Sequence, residues 1–167
     1  MKLYLLRHGV AVERGSPDHP DDGDRPLTNE GRDKVAQVAM GMKRLGLTFD
    51  IILSSPLRRA RETAEMVAAA LEATRRLRFI PSLAEEDAHP GLVREIAALR
   101  PPPECLLLVG HEPNLSELMA LLLTGETTLP IHFKKAGLAC LSVNGIEAGP
   151  CAMLEWLLAP KQLRLLA

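Results

Sequence analysis

Short apolar runs alternate along this chain with longer stretches in which apolar residues recur every three or four positions. A run of four to eight apolar residues is typical of a buried strand, and the longer spacing is typical of an amphipathic helix. The weakest run lies at 78–80, where proline and acidic residues blur the boundaries. The pattern predicts strands at 2–7, 50–53, 78–80, 104–109, 137–143 and 152–158.

Capping residues and glycines mark the predicted helix ends. Thr28 is suited to cap the first helix, and Gly46 is placed to end it. Ser55 and Pro56 predict a second helix with a serine cap and a proline at its first position. Further helices are predicted over 90–99 and between Pro113 and Gly125.

The order of these elements predicts the fold. Strands that alternate with helices favour a mostly parallel sheet with helices on both faces, so we expect an α/β protein with a single three-layer domain over residues 1–167. Residues 9–26 are polar and contain Gly, Pro and acidic residues, which indicates a long surface loop. Because ligands of such sheets bind beyond the carboxyl ends of the strands, the functional residues are expected there.

Cationic and imidazole side chains follow three of the predicted strands. Arg7 and His8 end the first strand, and His111 follows the fourth. Arg58 and Arg59 lie at the beginning of the helix after the second strand. Since the planar fork of arginine donates two parallel hydrogen bonds to phosphate oxygens, this set predicts a site for a small dianion such as a phosphoryl group.

The overall charge requires that any anion site be local. The formal net charge is -1, with 20 basic and 21 acidic residues, so the chain has no general attraction to nucleic acid or to anionic lipid. Apolar residues make up 47% and charged residues 25% of the chain, which is typical of a globular protein and not of a disordered one.

Cysteine usage and the lengths of the apolar stretches favour the cytoplasm. Cys105 and Cys140 lie inside apolar runs, and with Cys151 they make an odd number, which indicates reduced thiols. The apolar stretch at 3–6 is too short for a secretory signal, and the one at 115–123 is too short for a membrane span. We therefore expect a cytoplasmic protein with no membrane contact.

Four motifs follow one another along the chain. They are Arg7-His8-Gly9, Leu27-Thr28 with Gly31, Ser55-Pro56-Leu57-Arg58-Arg59-Ala60 with Thr63, and Gly110-His111. In this order they resemble the histidine phosphatase superfamily over nearly the whole chain. The chain is short and has no asparagine shortly after Gly9, which makes it similar to the small, SixA-like phosphohistidine phosphatase branch. The resemblance implies a phosphoglycerate mutase-like fold.

The resemblance also implies roles for individual residues. His8 would be the nucleophile that carries a covalent phosphoryl group, with Gly9 beside it in the phosphate-binding set. Arg7 and Arg59 would hold the phosphoryl oxygens, and His111 would donate a hydrogen bond to them. A neutral histidine with an ordinary pKa near ~6.5 supplies a nucleophilic nitrogen at neutral pH without a separate base. No metal and no cofactor are expected.

The substrate depends on whether a proton donor operates. An imidazole leaves without one, whereas an alkoxide requires one. The wider superfamily carries an acid after the third strand, where this chain has Glu85, Glu86 and Asp87. The SixA-like branch lacks that acid, and these three residues can equally form a solvated acidic turn. The chain can therefore be a phosphatase for phosphohistidine on a protein, such as a histidine phosphotransfer domain, or for a small phosphoester.

Two further hypotheses remain open. The acidic loop at 18–24 holds Asp18, His19, Asp22 and Asp24, which could bind a divalent cation, although their spacing matches no standard site and a loop bordering the pocket is the favoured interpretation. A module that binds phosphate without turnover is a third function class. It is disfavoured because all four expected catalytic positions are filled.

Overall fold

The computed structural model describes residues 1–85 and 89–167. No helix within these two ranges is both long enough and apolar enough to cross a membrane. The strands are Lys2–Arg7 (β1), Ile51–Ser54 (β2), Leu77–Phe79 (β3), Cys105–Gly110 (β4), Leu138–Val143 (β5) and Ala152–Leu158 (β6). The helices are Asn29–Arg44 (α1), Arg58–Ala70 (α2), His89–Ala97 (α3), Asn114–Thr124 (α4) and Pro160–Arg164 (α5).

The six strands form one mixed sheet in the order β3-β2-β4-β1-β5-β6. The strands β3, β2, β4 and β1 run parallel to one another. Parallel strands need a crossover connection, and each connection from β1 to β2, from β2 to β3 and from β3 to β4 contains a helix. β5 is antiparallel to β1, and β6 is antiparallel to β5. The predicted mostly parallel sheet is confirmed, and it brings the carboxyl ends of β1, β2 and β4 to one edge.

The central strands are buried on both faces. In β1, Leu3 and Leu5 face one core and Tyr4 and Leu6 the other, since successive side chains of a strand point to opposite faces. Residues of α1, α2 and α5 pack on the Tyr4 side, and residues of α3 and α4 pack on the Leu3 side. Burying one leucine fully stabilises a fold by about 1.5–3 kcal/mol, so the two layers hold the central strands firmly.

Helix α1 begins where the sequence predicts. The hydroxyl oxygen of Thr28 accepts a hydrogen bond from the main-chain N–H of Gly31 at 3.0 Å. A Cβ atom at position 31 would lie 2.0 Å from the carbonyl oxygen of Val10, so only glycine permits this approach. The start of α1 is thereby packed against the segment that follows His8.

Helix α2 begins two residues later than predicted, and the proposed serine cap is wrong. Its first residue is Arg58 and its N-cap is Leu57, with no capping side chain. Ser55 remains in extended backbone because its N–H donates to the Val109 carbonyl at 3.0 Å, which continues the pairing of β2 with β4. The Ser55 side chain is therefore available for another partner.

Candidate active site

Arg7 and His8 are fixed by main-chain hydrogen bonds on both sides of β1. Arg7 pairs in register with Gly110 of β4, and the N–H of His8 donates to the Gly110 carbonyl at 3.0 Å. On the other side, the N–H of Ala136 lies 3.0 Å from the Arg7 carbonyl oxygen and 3.1 Å from that of His8. The backbone therefore leaves these two residues little freedom of position.

The His8 ring is oriented by its own main chain. Its Nδ1 lies 2.7 Å from the carbonyl oxygen of Gly9, which can only accept, so Nδ1 carries the proton and Nε2 keeps its lone pair. The N–H of Gly9 in turn donates to Thr63 Oγ1 at 3.1 Å. Burial, followed by the neighbouring His111 ring, lowers the pKa of His8 to about 2. His8 is consequently neutral at physiological pH.

The second imidazole, His111, directly follows β4. Its ring centroid lies 5.0 Å from that of His8, and it is 8% exposed. Its Nε2 lies 2.8 Å from Ser55 Oγ, which accepts from the N–H of Leu57 at 3.2 Å. When the Ser55 hydroxyl donates to Nε2, the proton of the neutral ring sits on Nδ1. Burial, followed by the charge of Arg59, lowers the pKa of His111 to about 3.

Two guanidinium groups complete the constellation. Arg7 Nη1 donates to the carbonyl oxygen of Phe133 at 2.7 Å. Arg59, which is 6% exposed, donates from Nη1 to the carbonyl oxygen of Asp22 at 2.8 Å, and its Nη2 lies 3.2 Å from Asp22 Oδ2. Burial lowers the pKa of both arginines. In each arginine, Nη1 is therefore held by a main-chain carbonyl of a loop.

Unsatisfied donors concentrate at this site. Among the described residues, four buried side-chain nitrogen or oxygen atoms have no hydrogen-bond partner, and three of them are Arg7 Nε, Arg59 Nε and His111 Nδ1. A buried donor without an acceptor costs about 1–3 kcal/mol, and more when the group is charged. A ligand that supplies several acceptor oxygens and negative charge, such as a phosphoryl group, would satisfy this set.

Residues 3–90, more than half of the chain, match the histidine phosphatase superfamily (branch 1). The chain belongs to this superfamily. It is therefore a phosphatase, and the predicted membership of the superfamily is confirmed.

Several relatives of this histidine phosphatase match along its full length. An uncharacterized protein of Picosynechococcus sp. is 38% identical over 98% of this chain and 99% of that protein. Phosphohistidine phosphatase SixA of Escherichia coli strain K12 is 28% identical over 99% of this chain and 98% of that protein. The structure of protein histidine phosphatase SixA complexed with tungstate has a TM-score of 0.82 at 25% identity, covering 98% of this chain and 99% of that one. The SixA-like branch and the phosphoglycerate mutase-like fold are confirmed.

The structure brings Arg7, His8, Arg59 and His111 together, as predicted. The other side chains predicted to act in catalysis do not join them among the residues that the structure describes. Arg58 turns away from the phosphoryl-binding set and pairs with Glu62 and Asp24. Glu85 is exposed, and its carbonyl oxygen accepts from the Asn114 side chain at 2.6 Å. The other predicted acids, Glu86 and Asp87, lie outside the described residues. The proton-donor hypothesis for this acidic run therefore stays a prediction.

The acidic loop borders the site through Asp22. Its carboxylate contacts Arg14, Arg25 and Arg59, and the hydrogen bond from Arg14, with the charges of Arg59 and Arg25, lowers the pKa of Asp22 to about 2. Asp24 contacts Arg58. Two of the four candidate cation ligands, Asp22 and Asp24, are thus paired with arginines. The parts of the chain that the structure describes contain no group of three or more His, Cys, Asp or Glu side chains that could hold a metal ion.

Sequence reasoning named two residues of the site without their contacts. Ser55 was predicted to cap a helix, although it directly follows β2 and so lies at the same sheet edge as His111. Asp22 was predicted only as one of four candidate cation ligands in a loop bordering the pocket, and its contact with Arg59 could not be read from the sequence.

A groove of about 1180 Å³ opens at the opposite edge of the sheet, where β1 and β4 begin. Its lining includes Met1, Cys105 and Met153 and is largely apolar. Cavity size therefore does not mark the site of this phosphatase, whereas the convergence of buried donors does.

Proposed function

We propose that this chain, acting as one domain, removes phosphate from phosphohistidine on a protein through a covalent intermediate on His8. The observation that carries the proposal is the placement of two neutral imidazoles 5.0 Å apart, close to two arginines whose buried Nε atoms lack a partner. The name of the SixA relative, a phosphohistidine phosphatase, supports the same substrate class.

The first step is attack by His8. Because Nδ1 is bound to the Gly9 carbonyl, the lone pair on Nε2 is the nucleophile, and the low pKa keeps it unprotonated. The bond from Nε2 to phosphorus forms while the bond from phosphorus to the leaving group breaks. Water then attacks the phosphorus of phospho-His8, which releases inorganic phosphate and regenerates the ring.

Arg7, Arg59 and His111 stabilise the charge on the phosphoryl oxygens. Phosphoryl transfer passes through a loose transition state, so catalysis consists mainly of positioning and charge stabilisation. A buried site strengthens these interactions because water does not screen them. Loss of one well-placed donor typically costs about 10²- to 10³-fold in rate.

The leaving group favours phosphohistidine as the substrate. An imidazole leaves near its own pKa of ~6.5, whereas an alkoxide is comparable to hydroxide at about 15.7, a difference of up to about 12 kcal/mol. Transfer from one imidazole to another is nearly balanced and needs no strong acid. A histidine phosphotransfer domain, which displays phosphohistidine on its surface, is the kind of partner we expect in the cytoplasm.

The test compares three substrates on wild type and His8→Ala. A chemically phosphorylated histidine protein, phosphoserine and an aryl phosphate are assayed for phosphate release, and the enzyme is quenched during turnover to trap an acid-labile phosphoenzyme. We expect fast turnover of phosphohistidine and a phosphoenzyme in wild type, with neither in His8→Ala. His132→Ala removes an exposed imidazole and is the matched control. Turnover that survives in His8→Ala would refute the nucleophile assignment.

A further inference from the structure

Ser55 places a fully buried hydroxyl group against the second imidazole of the site. Its main-chain N–H donates to the Val109 carbonyl at 3.0 Å, which fixes the backbone directly after β2. Its Oγ lies 3.2 Å from the main-chain nitrogen of Leu57 and 2.8 Å from Nε2 of His111. The serine is therefore held at the ring by both its main chain and its side chain.

The hydroxyl proton of Ser55 has one acceptor in the part of the chain that the structure describes. The N–H of Leu57 can only donate, so it occupies a lone pair of Oγ. A buried hydroxyl group rarely leaves its proton without an acceptor, because the missing hydrogen bond costs free energy. Nε2 of His111 is thus the acceptor, and it must carry a lone pair.

The proton of the His111 ring consequently lies on Nδ1. Burial, followed by the charge of Arg59, lowers the pKa of His111 to about 3, so the ring is neutral at physiological pH and holds a single proton. Nδ1 is buried and has no hydrogen-bond partner among the described residues. Its N–H is a free donor on a ring whose centroid lies 5.0 Å from that of His8.

The two imidazoles carry their protons on the same nitrogen but use it differently. In His8, the Gly9 carbonyl accepts the proton of Nδ1, and Nε2 keeps its lone pair. In His111, the Ser55 hydroxyl occupies the lone pair of Nε2, and the N–H of Nδ1 is left without a partner. The first ring is thus suited to attack phosphorus, and the second is suited to donate to the phosphoryl oxygens.

We propose that Ser55 is a positioning residue that fixes the proton of His111 on Nδ1 and thereby makes this ring a hydrogen-bond donor to the phosphoryl oxygens. The inference rests on the proposed function, because it takes a phosphoryl group to bind beside both rings. Without the serine hydroxyl, either nitrogen of the neutral ring can carry the proton. A ring with a bare Nδ1 offers the negative oxygens a lone pair instead of a donor.

Nitrogen-15 NMR of the histidine rings tests the tautomer in the ligand-free protein at neutral pH. We expect the proton of His111 on Nδ1 in wild type and in Ser55→Thr, which keeps a hydroxyl group, and a mixture of both tautomers in Ser55→Ala. The ring signals are assigned by their loss in His111→Ala. The matched control is Ser54→Ala, which removes an equally buried hydroxyl that donates to the Ser55 carbonyl, and it should leave the tautomer unchanged.

The NMR spectra have two outcomes that overturn the proposal. A proton on Nε2 of His111 in wild type would do so even if Ser55→Ala failed to fold. An unchanged tautomer in a folded Ser55→Ala variant would show that something other than the serine hydroxyl fixes the ring.

A double-mutant cycle measures kcat/KM on phosphohistidine. Removing the residue that orients a metal-binding histidine typically costs about 10- to 100-fold, and we expect a similar loss in Ser55→Ala. His111→Ala should cost about 10²- to 10³-fold. Adding Ser55→Ala to His111→Ala should lower the rate no further, because the serine acts through the ring. Ser54→Ala should retain wild-type activity, and Ser55→Thr should retain most of it.

The kinetic outcomes separate positioning from other roles. A full additional loss in the double variant would mean that Ser55 acts independently of His111, and full activity in Ser55→Ala would mean that the ring needs no support; both overturn the proposal. A Ser55→Thr variant as impaired as Ser55→Ala would also overturn it, since the hydroxyl group would not be what matters. If wild type fails to hydrolyse phosphohistidine while the His111 tautomer still depends on Ser55, the proposed function is wrong and the positioning of the ring stands.

Discussion

The two arginines of the site are supported in different ways. Arg7 ends a central strand, and its main chain is hydrogen-bonded to neighbouring segments on both sides. Arg59 lies in the first turn of helix α2 and is bound to the loop at 9–26 through Asp22. The first arrangement depends on repeated main-chain pairing within a buried sheet, and the second on one residue of a polar loop.

This difference separates a rigid half of the site from an adjustable one. Buried strands open only when much of the protein unfolds, whereas surface loops open locally at low cost. His8, Arg7 and His111 lie on the rigid half, which suits the roles proposed for them at one phosphorus atom. We expect Arg59 to respond to the loop, so that substrate binding would be tuned there without disturbing the proposed nucleophile, His8.

Truncating either arginine should have the largest effect. Arg7→Ala and Arg59→Ala are each expected to lower kcat/KM for phosphohistidine by about 10²- to 10³-fold, because each removes a donor to the phosphoryl oxygens. Arg58→Ala, which removes an adjacent guanidinium paired with Glu62, should change it by less than about threefold and is the control. If Arg59→Ala retains full activity, the residues on the strand ends are sufficient for catalysis. The proposed role of Arg59 in binding the phosphoryl group would then be wrong.

Weakening the contact between the loop residue Asp22 and Arg59 should have an intermediate effect on substrate binding. Asp22→Asn keeps the carbonyl that accepts from Arg59 but removes the carboxylate charge, so we expect a rise in KM of about tenfold with a smaller change in kcat. Asp24→Asn, in the same loop but paired with Arg58, should behave as wild type. A lower KM in Asp22→Asn would show that the carboxylate competes with the phosphoryl group for Arg59.

The smallest expected effect is the dependence of the free energy of unfolding on pH. The pKa values of His8 and His111 are lower in the folded protein than their ordinary value of 6.5, so the unfolded chain binds more protons below that pH. Their contribution to stability is complete above about pH 6.5 and decreases as the pH falls. Between about pH 7.5 and 5.5 the free energy of unfolding should fall by about 1.4 kcal/mol for each histidine.

Urea denaturation at the two pH values measures this slope. His8→Gln and His111→Gln should each reduce it. The loop half responds at lower pH, because the depressed pKa of Asp22 gives stability that is present above about pH 4 and lost as the pH falls toward 2. A slope unchanged by both buried variants would contradict the low pKa values of the imidazoles.

Most of the fold could be predicted because its signals are local. The run at 2–7 matches β1 residue for residue, and the Thr28 cap and the Gly125 end of a helix are also found. The start of α2 was predicted wrongly because a serine before a proline is also the signal for a helix cap. Only the hydrogen bond from the Ser55 N–H to the Val109 carbonyl of β4 shows that pairing with the sheet extends one residue beyond β2.

The candidate site also contains residues that local signals reveal and contacts that depend on remote segments. Arg7, His8 and His111 could be named from the sequence because strand ends of a parallel sheet meet at one edge whatever the side chains are. The partners that orient them could not. Ser55 and His111 are 56 residues apart, and Asp22 and Arg59 are 37 apart, so nothing in the local pattern relates them.

The amino-acid sequence by itself determined the order of strands and helices, the sheet edge at which the cations collect and the residues that we propose to bind a phosphoryl group. These follow from periodicity, capping and strand direction, which act over a few residues. Tertiary structure alone decided which tautomer His8 adopts and which loop residues bind Arg7 and Arg59. Those depend on burial and on contacts between remote segments, and both exist only once the two cores have packed around the sheet.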